Sequence, residues 1–469
     1  MAYCGYITRL KNVRKHSNAD RLLCGECFGN NVIVSLDYVE NQLGVYFPVD
    51  GQLSEDFANK HNLVRKKDEN GNNIGGYLDP EKRNIKALKL RGEQSDGLFM
   101  PIESLSDYVD ITTLKEGDTI TSLNGVLICE KYIPRTNRRR GGGNTNGKTK
   151  HKVKTITYPY FDEHIDTAQL AYNMNVFKSG DLIEITLKMH GTSQRTAYTL
   201  MKNQKTYPYL IYKLRQLFKL EPKVTESYEY ISGTRRCTLE NYDGGYYGCN
   251  AFRKQHHDKF VGKLHKGEEV FYEVVGFTDN GTPIMPTVSN KKLDDKEFIK
   301  KYGSDTVFSY GCEPNGSKTM YGTDDVSPYA IEQECPKSDI YVYRMTMTNP
   351  DGEVVEYSYD YMKYRCEQMG VKVVPLFTRF ILHEEDLEMD TRTAGEIVKD
   401  VAELYYDGVD PIGKTHWREG VVVRVVNRPK FTAYKHKNWT FKVLEGIAKD
   451  TATEADIEEA QDIVDEVNE

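Results

Sequence analysis

Residues 181–196 read DLIEITLKMHGTSQRT, and this stretch decides how the chain folds. Ile183, Ile185 and Leu187 alternate with Glu184, Thr186 and Lys188, the period of a strand with one apolar and one polar face. The strand ends at Lys188 and runs into Gly191 and the small polar Thr192 and Ser193. A lysine is thereby carried to the mouth of a sheet. The pattern K-x-x-G occurs four times, beginning at Lys89, Lys188, Lys259 and Lys300. Only Lys188 closes an alternating strand, so the pattern carries weight through its surroundings.

Further strands follow in order downstream. SGTRR (232–236) supplies Ser232 and Arg235, and VFYEVVG (270–276) carries Glu273 in an otherwise apolar run. A lone carboxylate in such a run needs a partner. YVYRMT (341–346) places Tyr343 on another strand, and REGVVVRV (418–425) is a strand opened by Glu419 and Gly420. YKHKNWTFK (434–442) sets Lys435 and Lys437 two apart, with both ammonium groups on one strand face.

Around this series, residues 156–449 mix strands (Asp181–Lys188, Glu269–Gly276, Ile340–Thr348, Gly420–Val426) with helical patterning at Tyr207–Phe218 and Ala394–Tyr406. There is no strict βαβ rhythm, so the reading is an α+β domain with antiparallel sheets. Residues 1–133 hold short strands (Leu22–Phe28, Val32–Leu36, Gly44–Pro48, Leu98–Ile102, Val126–Glu130) between Gly, Asn and Asp turns. They are expected to close a small β-barrel. Residues 134–155 are basic and glycine-rich, a linker whose Arg138, Arg139, Arg140, Lys148, Lys150, Lys152 and Lys154 suit a nucleic-acid backbone. Residues 450–469 are expected to form an acidic amphipathic helix.

Taken in order, these motifs resemble motifs I, Ia, III, IIIa, IV and V of the covalent nucleotidyltransferases, the polynucleotide ligases and mRNA capping enzymes. KMHGTS, FYEVVG, EGVVV and KHKN are most similar to RNA ligases of the nick-sealing type. KHSNADRLLCGECFG (15–29) and LRGEQSDGLFMP (90–101) resemble tRNA-binding modules of the OB fold. An OB-like unit placed first is similar to the RNA ligases with N-terminal OB domains. The resemblance implies an ATP-grasp-like ligase domain that uses ATP with Mg2+ or Mn2+. Lys188 would attack the α-phosphorus, and Lys435 and Lys437 would neutralise its oxygens. Leu187, His190, Gly191, Arg235, Glu273 and Tyr343 would hold the nucleotide, Tyr343 by stacking and Glu273 at the ribose. Glu419, and Glu273 through water, would serve the metal. In some OB-first ligases the residue before the motif I glycine is acidic. Here it is His190, as in the other nick-sealing branch.

The implied partner is RNA with 3′-hydroxyl and 5′-phosphate ends, in a nicked duplex, served by a monomer. A net charge of −7 argues against nucleic acid only as a whole-chain sum. The acidic residues after Lys449 and the basic run from Arg135 to Lys154 lie apart, and local patches set phosphate binding. No apolar run has the length of a signal peptide or membrane span, so a soluble, cytoplasmic protein is expected. The nine scattered cysteines then read as reduced thiols, Cys24 and Cys27 among them as ordinary strand residues. His256, His257 and His265 fit no metal-ligand spacing and are expected on the surface. A capping guanylyltransferase or a DNA ligase would share Lys188. Both usually carry an OB domain after motif V, and only 27 residues follow Lys442. A non-catalytic OB-containing RNA-binding protein would lack some of the charged motif residues, all of which are present.

Overall fold

In the first quarter or so of the chain, alternation at short range builds several small sheets. The computed structural model describes residues 3–132 save 68 and 70–72, and 156–450 save 162–163, 165–166, 206, 208–210, 212–213, 216, 219–222, 236, 240–241, 243–246, 294, 317, 322–329 and 334. The linker 134–155 and residues 451–469 therefore lie outside the described residues, as does much of Tyr207–Phe218.

Strand β1 (Gly5–Arg9) is followed by β2 (Lys11–Lys15), β3 (Leu22–Cys27), β4 (Asn30–Ser35) and β5 (Leu43–Phe47). A hairpin, β6 (Ala87–Leu90) and β7 (Glu93–Asp96), leads to β8 (Leu98–Pro101) and β9 (Thr119–Ile120). One sheet has the order β8-β5-β1-β9, and β2-β3-β4 form a second. Ile7, Val45, Phe47, Leu98 and Ile120 share one core, whereas Leu10, Cys27, Val32, Tyr46 and Phe99 share another. The first sheet is thus covered on both faces. The expected closed barrel is not seen: among the described residues the ladders fall into separate small sheets. The chain leaves the first sheet at Leu10, between β1 and β2, and just beyond it a register shift between Lys11 and Arg14 marks β2, where Asn12 takes a φ of 52°. Such a bulge bends the strand and interrupts pairing. Cys24 and Cys27 are buried on β3, as expected of strand residues.

The C-terminal part has two larger sheets. One contains β10 (Ala168–Gln169), β11 (Leu182–Lys188), β16 (Leu376–Ile381), β17 (Gly420–Val425) and β18 (Thr432–Lys437), in the order β10-β18-β17-β11-β16. The other is built on β12 (Thr192–Gln204), β13 (Val224–Gly233), β14 (Glu268–Gly276) and β15 (Ser338–Thr348), with β14 between β12 and β15. Nearly all the pairings are antiparallel, the parallel ones being β10 with β18 and β15 with Lys372–Val373.

Ile183, Ile185, Val421, Val423 and Val425 pack against Val398 and Ala402 of a helix, Ala394–Tyr406. That helix starts in a capping box between Thr393 and Glu396, which satisfies two otherwise orphaned amides. Every residue of β14 is buried. Helix α1 (Tyr359–Met369) gives Met362, Cys366 and Met369 to its core, which also receives Phe252, Phe260 and Leu264. We label Ala394–Tyr406 α2 and the last helix, Trp439–Asp450, α3.

His256 corrects the expectation of surface histidines. It is 2% exposed, with Nε2 2.9 Å from Ser338 Oγ. Burial, with Lys259 and Arg253 nearby, lowers its pKa to about 3. His257 is half-buried and His265 exposed.

The two parts are closely joined. The ring of Tyr172 lies 4.5 Å from Tyr6 and 5.2 Å from Phe28. Lys442 of α3 pairs with Asp96 of the hairpin, and Lys89 sits 5.5 Å from the Trp439 ring centre. No helix among the described residues is long and apolar enough to cross a membrane.

Candidate active site

Strand register assembles the site. Lys188 is opposite Gly420, and Gly420 is opposite Lys437, so one rung crosses β11, β17 and β18. Glu419 directly precedes that rung and is 1% exposed. Its Oε1 lies 2.8 Å from Lys188 Nζ and 3.1 Å from Lys437 Nζ. Gly420 has φ +146°, and a Cβ there would stand 2.1 Å from the His436 carbonyl oxygen. Glycine is required for β17 and β18 to approach so closely. Asn438 fixes the same end: its Nδ2 donates to the Arg418 carbonyl and its Oδ1 accepts from the Phe441 amide at 2.7 Å.

Period two does the rest. Glu184, Thr186 and Lys188 of β11, Val422 and Arg424 of β17, and Ala433, Lys435 and Lys437 of β18 line one cavity. Ser193, Glu273 and Tyr343 line it from the second sheet, Arg235 from the bend after β13, and Tyr3, Tyr6, Asn30, Asp50 and Lys131 from the N-terminal part. Tyr343 is placed by a hydrogen bond between its hydroxyl and Ser193 Oγ, 3.1 Å apart. The His164 ring lies 5.8 Å from it. Gly191 is held close to β14: a Cβ would stand 2.4 Å from the Val274 carbonyl oxygen and 2.9 Å from Glu273 Cγ.

Ten sequence-derived candidates thus lie around one cavity: Leu187, Lys188, His190, Gly191, Arg235, Glu273, Tyr343, Glu419, Lys435 and Lys437. Leu187 differs from the others in that its side chain is buried in the apolar core. Ser232 is buried too, accepting from Gln194 Nε2 at 3.2 Å.

The charges are tightly balanced. Burial on its own raises the pKa of Glu419, but Lys188 and Lys437, with His190 nearby, outweigh it and hold the carboxyl well below its usual range. Burial on its own lowers that of Lys437, but Glu445, Glu419 and Asp50 outweigh it and hold the ammonium well above its usual range. His190 donates its backbone N–H to the Tyr310 hydroxyl at 2.8 Å, and its ring stands edge-on to Phe308 and Phe441.

Glu419 Oε2 is buried without a hydrogen-bond partner, with His190 Nδ1 3.6 Å away. A buried carboxylate oxygen left so suits a cation. Among the described residues no three His, Cys, Asp or Glu side chains form a metal-binding group. The donor set therefore fits an ion that keeps most of its waters, as Mg2+ commonly does, with Glu419 and Glu273 among the carboxylates that line the cavity.

Sequence reasoning passed over Glu445, Asp50 and Tyr310. Glu445 meets Lys437 from α3 and Asp50 comes from the N-terminal part; neither carries a local signal of the site. Glu184 and Arg424 were visible as polar positions on the alternating strands.

No protein-family model matches the chain, and no curated protein matches it. Solved structures do. A Naegleria gruberi RNA ligase mutant with ATP and Mn superposes with a TM-score of 0.52 at 15% identity, over 95% of this chain and 99% of that one. A second mutant with ATP and Mn gives the same values. A third gives 0.50 at 15% identity, over 96% and 98%. At such identity the likeness is one of fold. This chain has the fold of those RNA ligases over nearly its whole length.

Proposed function

We propose that this chain is an ATP-dependent RNA ligase that passes through a lysyl-AMP on Lys188. The observation that carries the reading is the rung joining Lys188, Gly420 and Lys437, with Glu419 against both ammonium groups. A nucleophilic amine and a second cation at one cavity suit attack on a phosphorus whose oxygens gain charge.

Lys188 Nζ forms a bond to the α-phosphorus of ATP, the bond to the bridging oxygen breaks, and pyrophosphate leaves with that electron pair while the amine loses a proton. An oxygen of the RNA 5′-phosphate then takes the adenylyl group, and Lys188 departs as an amine. Finally the RNA 3′-hydroxyl oxygen attacks the activated 5′-phosphorus, losing its proton, and AMP leaves. Lys435 and Lys437 face the phosphate oxygens, Tyr343 stacks on the adenine, and Glu273 and Arg235 hold ribose and phosphate. A divalent ion at Glu419 would supply charge against the triphosphate and take the carboxylate from the Lys188 ammonium. The N-terminal part and the basic segment 134–155 grip the RNA backbone and bases around the break.

The test is joining of a nicked RNA duplex with a labelled 5′-phosphate in the presence of ATP and Mg2+ or Mn2+. The reading predicts a sealed strand and, at short times, AMP-capped RNA. Transfer from GTP instead of ATP, or no joining of any RNA end, would overturn it.

A further inference from the structure

Lys437 has a second carboxylate partner that the chemistry above does not use. Both oxygens of Glu445 lie within 3.0 Å of Lys437 Nζ, at 3.0 and 2.9 Å, alongside the 3.1 Å contact with Glu419. Both side chains are largely buried, at 13% and 14% exposed, and both line the cavity.

We propose that Glu445 is the positioning residue for Lys437, suspending its ammonium between α3 and the β17 rung so that it faces the α-phosphate. This rests on the ligase reading of the site. Glu419 Oε1 already accepts from Lys188. Without Glu445, Glu419 is the carboxylate left within ion-pair distance of Lys437, Asp50 acting only as a further nearby charge, and Lys437 is drawn onto the oxygen that Lys188 shares. With Glu445 in place, an ammonium with three donors keeps one anchor on α3 while it exchanges Glu419 for a phosphate oxygen.

The anchor is firm because α3 is firm. Phe441 and Leu444 are buried in the core, Asn438 holds the helix start, and Lys442 pairs with Asp96. An ordinary surface ion pair contributes little and tolerates replacement. This pair is enclosed, bidentate and aimed at the site.

The experiment is single-turnover AMP transfer from α-labelled ATP by the full chain, with ATP concentration varied. The proteins are wild type, Glu445→Gln, Glu445→Ala, Lys437→Ala and Lys437→Ala with Glu445→Gln. The expected result for Glu445→Gln is a maximal rate lower by about 10²-fold, as small misplacements of reacting groups cost. The half-saturating ATP concentration and melting temperature stay near wild type. In the Lys437→Ala background the same change adds less than about twofold, because residues acting through one another are not additive. Glu445→Gln keeps the size of the side chain, so it decides the matter even if Glu445→Ala does not fold. A wild-type rate in Glu445→Gln, or equal losses in both backgrounds, overturns the proposal while leaving the ligase reading intact. Normal labelling in Lys437→Ala overturns the proposal alone, and absence of labelling in the wild type overturns both.

Discussion

Glu419 shows how much one side chain decides here. Its Oε1 serves two ammonium groups and its Oε2 serves none, all in a buried position. Glu419→Gln is expected to fold and to lose AMP transfer by about 10²–10³-fold, the usual cost of one transition-state contact. A near-wild-type single-turnover rate would contradict its role. A stability prediction comes from Glu268, fully buried against Arg365 at 2.7 Å. Burial raises the pKa of Glu268, but Arg365 and the His265 amide outweigh it and hold it low. A carboxyl depressed in this way stabilises the fold above its unfolded value and loses that contribution as pH falls. Arg365→Met leaves burial unopposed by its partner, so the same carboxyl becomes unfavourable above its unfolded value. The variant should lose about 3–5 kcal/mol near neutrality, and the deficit should shrink as pH falls toward about 4.3. Urea unfolding at several pH values measures this, and a deficit that grows on acidification would contradict it. The motif residues Lys188, Glu419 and Lys437 were legible because each ends or opens a strand in a fixed order. Glu445 was not, because its contact depends on where a helix returns to the sheet.

At the scale of elements, patterning found some strands of both large sheets, so that Asp181–Lys188 became β11 and Gly420–Val426 became β17, but it did not single out β12, β13 or β16. It did not say which strands are neighbours, and the rung is a property of neighbours. It also suggested a closed barrel at the N-terminus, where the described strands instead fall into separate small sheets and the chain changes sheet at Leu10. The element most exposed to test is β17 at Gly420. A Cβ there meets the His436 carbonyl at 2.1 Å, and φ is +146°. Gly420→Ala is expected to cost about 1–3 kcal/mol in backbone strain alone. It should also separate Lys437 from Lys188 and slow AMP transfer strongly. Thermal melting and single-turnover labelling measure the two effects. An alanine variant with unchanged melting temperature and rate would show that the close approach is not needed.

Across the whole molecule, the cavity is a joint product of both parts. On sequence alone the motifs all lie between 188 and 442, which makes residues 1–133 look dispensable for charging Lys188 and needed only for sealing. The fold changes that expectation. Asp50, Asn30, Lys131 and Tyr3 line the same cavity, and the β6–β7 hairpin holds α3 through Asp96 and Lys442. A chain beginning at Ile156, checked for folding by circular dichroism, should therefore take AMP more slowly than the full chain. It should seal pre-adenylylated nicked RNA more slowly still, with weaker RNA binding and a shallower salt dependence. Charging at the full-length rate would show that the N-terminal wall does not shape the nucleotide site. These contacts were not readable because they join segments hundreds of residues apart with no shared pattern.

The central claim is that Lys188 carries the adenylyl group, and peptide mapping after incubation with ATP and Mg2+ or Mn2+ tests it most directly. AMP should be found on the peptide containing Lys188 and nowhere else, and the Lys188→Ala protein should acquire none. AMP attached to another lysine, or labelling that persists in Lys188→Ala, would contradict the account.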